Sequence, residues 1–233
     1  MEAGSRRELI ASYAPLCGMI GPGIITLGMI ISVLAYTGVE GQTYSPLNHF
    51  VSELGEVGVS SLSAAFNWGL IIGGLITLPF MVYLAAQIQF WVRWPLGFLG
   101  VLAAVLVTLV GIFPMNYVNP HTFAALTFFN VGMAVAILYS LVILFSRRQP
   151  FPKWLAVPGL LYAATFAWFS FFPPDIPAEI DFQGGMAGLL RNRPDVFALA
   201  IIEWVMVLAI LLWILLMGIY LSFDRGIGRY KVR

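Results

Sequence analysis

Cysteine and formal charge are the two things this chain nearly lacks. Cys17 stands alone, so no disulfide can close within the chain and no cysteine-based zinc cluster can be built. Set in an apolar run, it reads as a small packing residue. Only 10% of the 233 residues are charged, against 60% hydrophobic, and mean hydropathy reaches +0.90. A water-soluble domain of this length needs far more charge to cover its surface. The net charge of +1 carries no pull toward nucleic acid. A phosphate-cradling glycine loop, a dinucleotide fingerprint and a basic patch are missing too, so a nucleic-acid partner is excluded.

What the chain has in quantity is apolar runs long enough to cross a bilayer. Hydropathy places six, near residues 14–37, 62–88, 94–114, 121–146, 153–172 and 195–222. Backbone amides at membrane depth must bond internally, and the runs show no apolar–polar alternation, so each span is a helix and a barrel is excluded. The expected fold is all-α, a single polytopic domain over 1–233, since spans and short loops use nearly every residue. Arg6 and Arg7 precede the first run as they would in a signal peptide. That run is long and lacks a small-x-small cleavage site, so it reads as a retained span.

Orientation follows from the basic residues. Arg6, Arg7, Arg93, Arg147, Arg148, Lys153, Arg225, Arg229, Lys231 and Arg233 fall on one side, and only Arg191 and Arg193 on the other. The positive-inside rule puts the first group, and both termini, in the cytoplasm. Glu40, Glu53, Glu56, Asp175, Glu179, Asp181 and Asp195 then lie outside. The expected location is the cell membrane, N-in and C-in. Trp91, Trp94 and Trp154 sit where cytoplasmic helix ends meet headgroups. The first span carries Gly18, Gly21, Pro22, Gly23 and Gly28, which predicts a kink or a close helix contact.

An internal repeat of two helices is also expected. Phe66-Asn67-Trp68-Gly69 in span two echoes Phe129-Asn130-Val131-Gly132 in span four. Spans three and five both start at a Trp (94, 154) and end in Phe-Pro (113–114, 172–173). In span six, Pro194-x-x-Phe197-Ala198 echoes Pro120-x-x-Phe123-Ala124, aligning Glu203 near Asn130. The repeat predicts a polar pocket of Asn67, Asn130 and Glu203, about 12–14 Å inside their helix ends by helical rise. An ionisable group at that depth faces a bundle interior or a wet cavity, so Glu203 is the most informative residue in the chain. Its plainer reading is a carboxyl that glues helices together, and the same holds for the two asparagines.

The remaining chemistry gathers on the outer face. In Tyr44–Glu56, apolar Leu47, Phe50, Val51 and Leu54 form one helical stripe, and His49, Ser52, Glu53 and Glu56 another, which predicts an amphipathic interfacial helix. His49, Ser52, Glu53, His121 and Glu203 are the candidate catalytic residues. A Ser52–His49–Glu53 nucleophile set is disfavoured, because neighbours on one helix rarely orient as a triad. His49, His121 and Glu203 have the residue types of a catalytic zinc with an open position, although no HxxxH or HExxH spacing supports it. Bis-histidine haem ligation by His49 and His121 is disfavoured by their place near helix ends.

The run Tyr44-Ser45-Pro46-Leu47-Asn48-His49-Phe50-Val51-Ser52-Glu53-Leu54-Gly55, with Phe66-Asn67 after it, resembles a six-span bacterial and archaeal family known as domain of unknown function 998. Gly111-Ile112-Phe113-Pro114 followed by His121 is similar to that family's passage from span three to span four. More distantly the chain is similar to the Frag/DRAM/Sfk-like six-span proteins, some tied to lipid-anchor remodelling or lipid distribution. Ceramidase-like membrane hydrolases share the residue types, but their HxxxH pair in the last helix is missing here. The resemblance implies the fold and carries no settled activity. Three readings follow: a lipid-associated protein or an accessory or scaffold subunit of a larger membrane complex, with membrane lipids and other subunits as partners; a membrane-embedded hydrolase or transferase acting on a lipid-type substrate from the outer leaflet, with zinc as its candidate cofactor; and a small transporter.

Overall fold

The computed structural model describes residues 3–38, 41–147, 150–172 and 194–227. Six long helices account for most of them: α1 (Ala3–Leu34), α2 (Ser63–Ala86), α3 (Arg93–Ile112), α4 (Val118–Phe145), α5 (Ala156–Phe171) and α6 (Ala198–Ile227). Two 3₁₀ turns, Val51–Gly55 and Lys153–Leu155, punctuate the links. Each long helix contains a stretch apolar and long enough to span a bilayer, from Tyr13–Leu34 in the first to Ala198–Phe223 in the last. The expected spans agree with these within three residues at every end. Three-residue shifts occur at the end of α1, the start of α4 and the start of α6, which begins at Ala198 and not near 195. Pro194 and the bend at 195–196 precede its first turn.

Each helix packs on its neighbours in the chain, and α6 returns to pack on α1. The six therefore close into a ring in sequence order. Helices α1 and α6 run antiparallel, with Ser222 Oγ 3.5 Å from Met19 Sδ at one end and Trp204 near Tyr44 at the other. Within a bilayer, apolar burial adds little between helices, so close van der Waals packing has to hold them. Glycine supplies it at the α1–α2 seam. A Cβ on Gly73 would lie 2.7 Å from the Gly21 carbonyl oxygen, and one on Gly28 would run into the Ala65 carbonyl. Thus Gly21 and Gly28 of the first span mark a helix contact, whereas Gly23 faces open space.

The two ends of the ring differ. At the end holding the α2–α3 and α4–α5 links, a dense core of Phe80, Leu84, Tyr139, Ile143, Trp213 and Met217 fills the interior. Trp91, Trp94 and Trp154 are exposed around its rim, with the Arg93 guanidinium 4.8 Å over the Trp94 ring. At the opposite end the chain from 41 to 62 folds across the ring. There the expected amphipathic interfacial helix does not form. Residues 46–49 make a turn and Val51–Gly55 a short 3₁₀ piece. Its would-be polar stripe is turned inward: His49 and Glu53 are buried, as are Val51 and Leu54, and Leu47 is exposed. Both carboxylate and imidazole have partners inside the protein, so neither needs the solvated face that periodicity assigned them.

Candidate functional site

Segment 44–56 is fastened to the start of α6. The Phe197 amide donates to the Leu47 carbonyl at 2.7 Å, and Trp204 Nε1 donates to the Tyr44 hydroxyl at 3.0 Å. The Tyr44 hydroxyl in turn donates to the Phe50 carbonyl at 2.8 Å. Burial first, and the neighbouring Glu203 carboxylate second, push the Tyr44 phenol far above its ordinary range, so it stays a neutral donor. Tyr36, Tyr44 and His49 form a ring cluster with centroids 4.9–5.3 Å apart, and Trp204 meets Tyr44 edge-on at 5.9 Å. His49 Nδ1 lies 2.7 Å from Asn48 Oδ1.

The start of a helical turn leaves backbone N–H groups without partners. Here two carboxylates take them. Glu53 Oε1 accepts the Phe50 N–H at 2.8 Å, from within the turn. Glu203 Oε2 accepts the Val51 N–H at 2.7 Å, reaching over from α6. The Ser52 N–H and hydroxyl also bond to Glu203. Glu203 sits five residues into α6, about 8 Å from its start by helical rise. That is shallower than the expected 12–14 Å, because the helix begins later. Its gluing function is real, but it holds a loop turn and not a neighbouring helix.

The same carboxylate faces open space. An elongated cavity of about 100 Å³ runs inside the ring, from Ser52, His121 and Glu203 down to Met81 and Trp213. A second, of about 380 Å³, lies between α4, α5 and α6, walled by Phe50, Met115, Leu126, Phe169, Leu199 and Met206. Both are lined almost wholly by apolar atoms. They share five lining residues: Ser52, His121, Ala125, Phe129 and Glu203. Polar chemistry is thus concentrated where the two spaces meet. Val118, Thr122 and Leu126 follow one stripe of α4, line the larger cavity and are also exposed, so that cavity reaches the outside of the ring there. His121 Nδ1 lies 2.8 Å from the Phe113 carbonyl at the end of α3. A carbonyl can only accept, so Nδ1 carries a proton, and in the uncharged tautomer that this selects the lone pair is at Nε2.

Among the candidate catalytic residues, then, Ser52, His121 and Glu203 come together. His49 and Glu53 line neither cavity and are buried in the packing of the 44–56 segment. Nor is the pocket of Asn67, Asn130 and Glu203 assembled. Asn67 is buried and donates to the Gly55 carbonyl at 2.9 Å, fixing α2 to the 3₁₀ turn. Asn130 is exposed on the ring's exterior and donates back to the Leu126 carbonyl of its own helix. The repeat does pair Phe66 with Phe129, both buried, and Gly69 with Gly132, both at close contacts. At the asparagines the equivalence stops, since one faces inward and the other out. Among the described residues, no three His, Cys, Asp or Glu side chains converge to hold a metal ion. The zinc set of His49, His121 and Glu203 is therefore not formed, and bis-histidine haem ligation fails on the same separation of His49 from the cavities. Asp175, Glu179, Asp181, Arg191 and Arg193 lie outside the described residues.

Sequence reasoning gave no weight to Tyr36, Tyr44 and Trp204, which hold the turn that presents Ser52. Aromatic residues near span ends carry an interfacial reading that masks such a role. A family model described as a protein of unknown function, DUF998, matches residues 19–220. No curated protein and no solved structure matches this chain.

Proposed function

Because the chain belongs to the DUF998 family, whose activity is undefined, we propose its function from the site alone: it binds an amphipathic lipid, with the tail inside the helix ring and the head at Ser52, His121 and Glu203. The observation that carries this reading is the meeting of two apolar cavities at one polar trio. Ligand sites in general are apolar concavities with a few convergent polar groups, and the larger cavity falls in their usual size range. The exposed stripe of Val118, Thr122 and Leu126 supports entry sideways from the bilayer. The more distant resemblance to the Frag/DRAM/Sfk-like proteins fits the same reading. The ten basic residues that the sequence assigns to the tails and to the α2–α3 and α4–α5 links support a cytoplasmic placement of both termini in the cell membrane, so the lipid comes from the outer leaflet.

The test is lipid analysis of the full chain purified in mild detergent, by native mass spectrometry, beside Ala104→Phe. Ala104 is buried on the wall of the inner cavity, and the larger ring fills that space. The wild type retains a bound lipid after delipidating washes, and the filled variant loses it. Equal retention by a folded Ala104→Phe protein refutes tail binding inside the ring. Chemical conversion of the retained lipid on incubation would move the reading to a hydrolase or transferase. Reporter fusions after residue 147 and after residue 57 test the orientation: the first should report cytoplasm and the second the exterior.

A further inference from the structure

The proposed lipid site also has a definite chemical preference, and the inference rests on that site. Its polar groups are rich in acceptors. Glu203 offers a carboxylate, and His121 offers the Nε2 lone pair because its Nδ1 is committed to Phe113. Among the described residues, no Lys or Arg lines either cavity. A phosphate or carboxylate head placed there would face acceptors, with no compensating cation among the described residues, in a space walled by apolar atoms. A head with O–H or N–H donors would instead find the His121 Nε2 lone pair and the part of the Glu203 carboxyl that Val51 and Ser52 leave open.

The tail space is equally selective. Its lining on α6 extends from Glu203 to Ile214, about 16 Å by helical rise, yet its volume is only about 100 Å³. A space that long and that small admits one chain. Its walls are also close-packed. Gly100 already touches Met81, where an added Cβ would fall 2.6 Å from Cε, and Gly132 gives way to the Tyr162 hydroxyl, which donates to the Phe129 carbonyl at 2.9 Å.

We propose that the ligand is a single-chain lipid whose head donates hydrogen bonds and carries no negative charge, of the long-chain alcohol or long-chain amine class. The two sources share donor chemistry and differ in charge. An alcohol needs only an acceptor, whereas an amine draws on the Glu203 carboxylate as counter-ion.

The experiment is competition against a fluorescent long-chain alcohol, using full-length protein in mild detergent. The competitors are an alcohol, a primary amine and a fatty acid of equal chain length, a monoacylglycerol, and diacyl phosphatidylglycerol. The alcohol, the amine and the monoacylglycerol should compete at least about tenfold better than the fatty acid and the diacyl lipid. In Glu203→Gln, the amine should weaken by about tenfold or more and the alcohol by less, which assigns the source. His121→Phe, which keeps a ring in place, should weaken all three donors. A fatty acid or phosphatidylglycerol that competes as well as the alcohol overturns this proposal and leaves the lipid-binding reading standing. If the probe binds without being displaced by any lipid, or does not bind while native mass spectrometry finds no retained lipid, the lipid-binding reading falls with it.

Discussion

Replacing Glu203 by leucine should loosen the end of the ring that carries the candidate site. The substitution keeps an apolar side chain of similar length but removes the acceptor of the Val51 N–H at 2.7 Å and of the Ser52 N–H and hydroxyl. A buried donor left without an acceptor costs about 1–3 kcal/mol. The Ser52 hydroxyl can rotate to another partner, whereas two backbone amides cannot, so the sum is about 2–6 kcal/mol. Water entering the adjoining cavity would favour the lower half of that range. For a chain of this size, each kcal/mol moves the melting midpoint by about 2–4 °C. Glu203→Leu should therefore unfold at least about 4 °C below the wild type in detergent. Glu203→Gln retains an acceptor oxygen and should lose about half as much. Hydrogen exchange read on a peptide covering 47–58 should accelerate in Glu203→Leu and not at α3. A leucine variant that melts with the wild type and exchanges equally slowly would refute the capping argument.

Three further outcomes follow from the packing. At the α1–α2 seam, Gly28→Val should abolish a monodisperse chromatographic peak, because its side chain runs into the Ala65 carbonyl, while Gly23→Val, with open space around it, should elute as wild type. Asn67→Ala should lower the melting midpoint by an amount matching about 1–3 kcal/mol, since it strands a buried Gly55 carbonyl, and Asn130→Ala should leave it unchanged. Elemental analysis of protein prepared without chelators should give the same zinc content in wild type, His49→Ala and His121→Ala; stoichiometric zinc lost in both variants would overturn the geometric argument against that site.

Much of the ring could be read from sequence because a bilayer imposes one strong rule: each crossing backbone must satisfy itself, so long apolar runs are helices. Span ends at Leu34, Ala86, Ile112 and Phe171 fell close to expectation for that reason. The loop between α1 and α2 was misread for a related reason. A stripe of His49, Ser52, Glu53 and Glu56 carries the period of a solvated helix, and periodicity says nothing about which face finds partners inside the protein. Only the fold reveals that Glu53 closes its own turn and that Glu203 reaches into the same turn from 152 residues away. The sequence pointed to Glu203 by its depth and to His121 by its rarity, and both reach the cavities. It could not separate Asn67 from Asn130, because matching tetrapeptides do not encode which side of a helix meets the interior. Nor could it exclude zinc, since ligand types were present and only distances decide.

The closing of the ring by α6 against α1 has a consequence for biogenesis. Without the sixth span the ring would lack its contacts to α5 and α1, and the surfaces that wall the inner cavity would be open on that side. The Val51 and Ser52 amides then lack the carboxylate that arrives on the last helix. Completion of the site and closure of the ring are thus one event. A lipid trapped at that moment would be enclosed with no need to enter afterwards, so the first occupant of each molecule would be drawn from the membrane in which it was made.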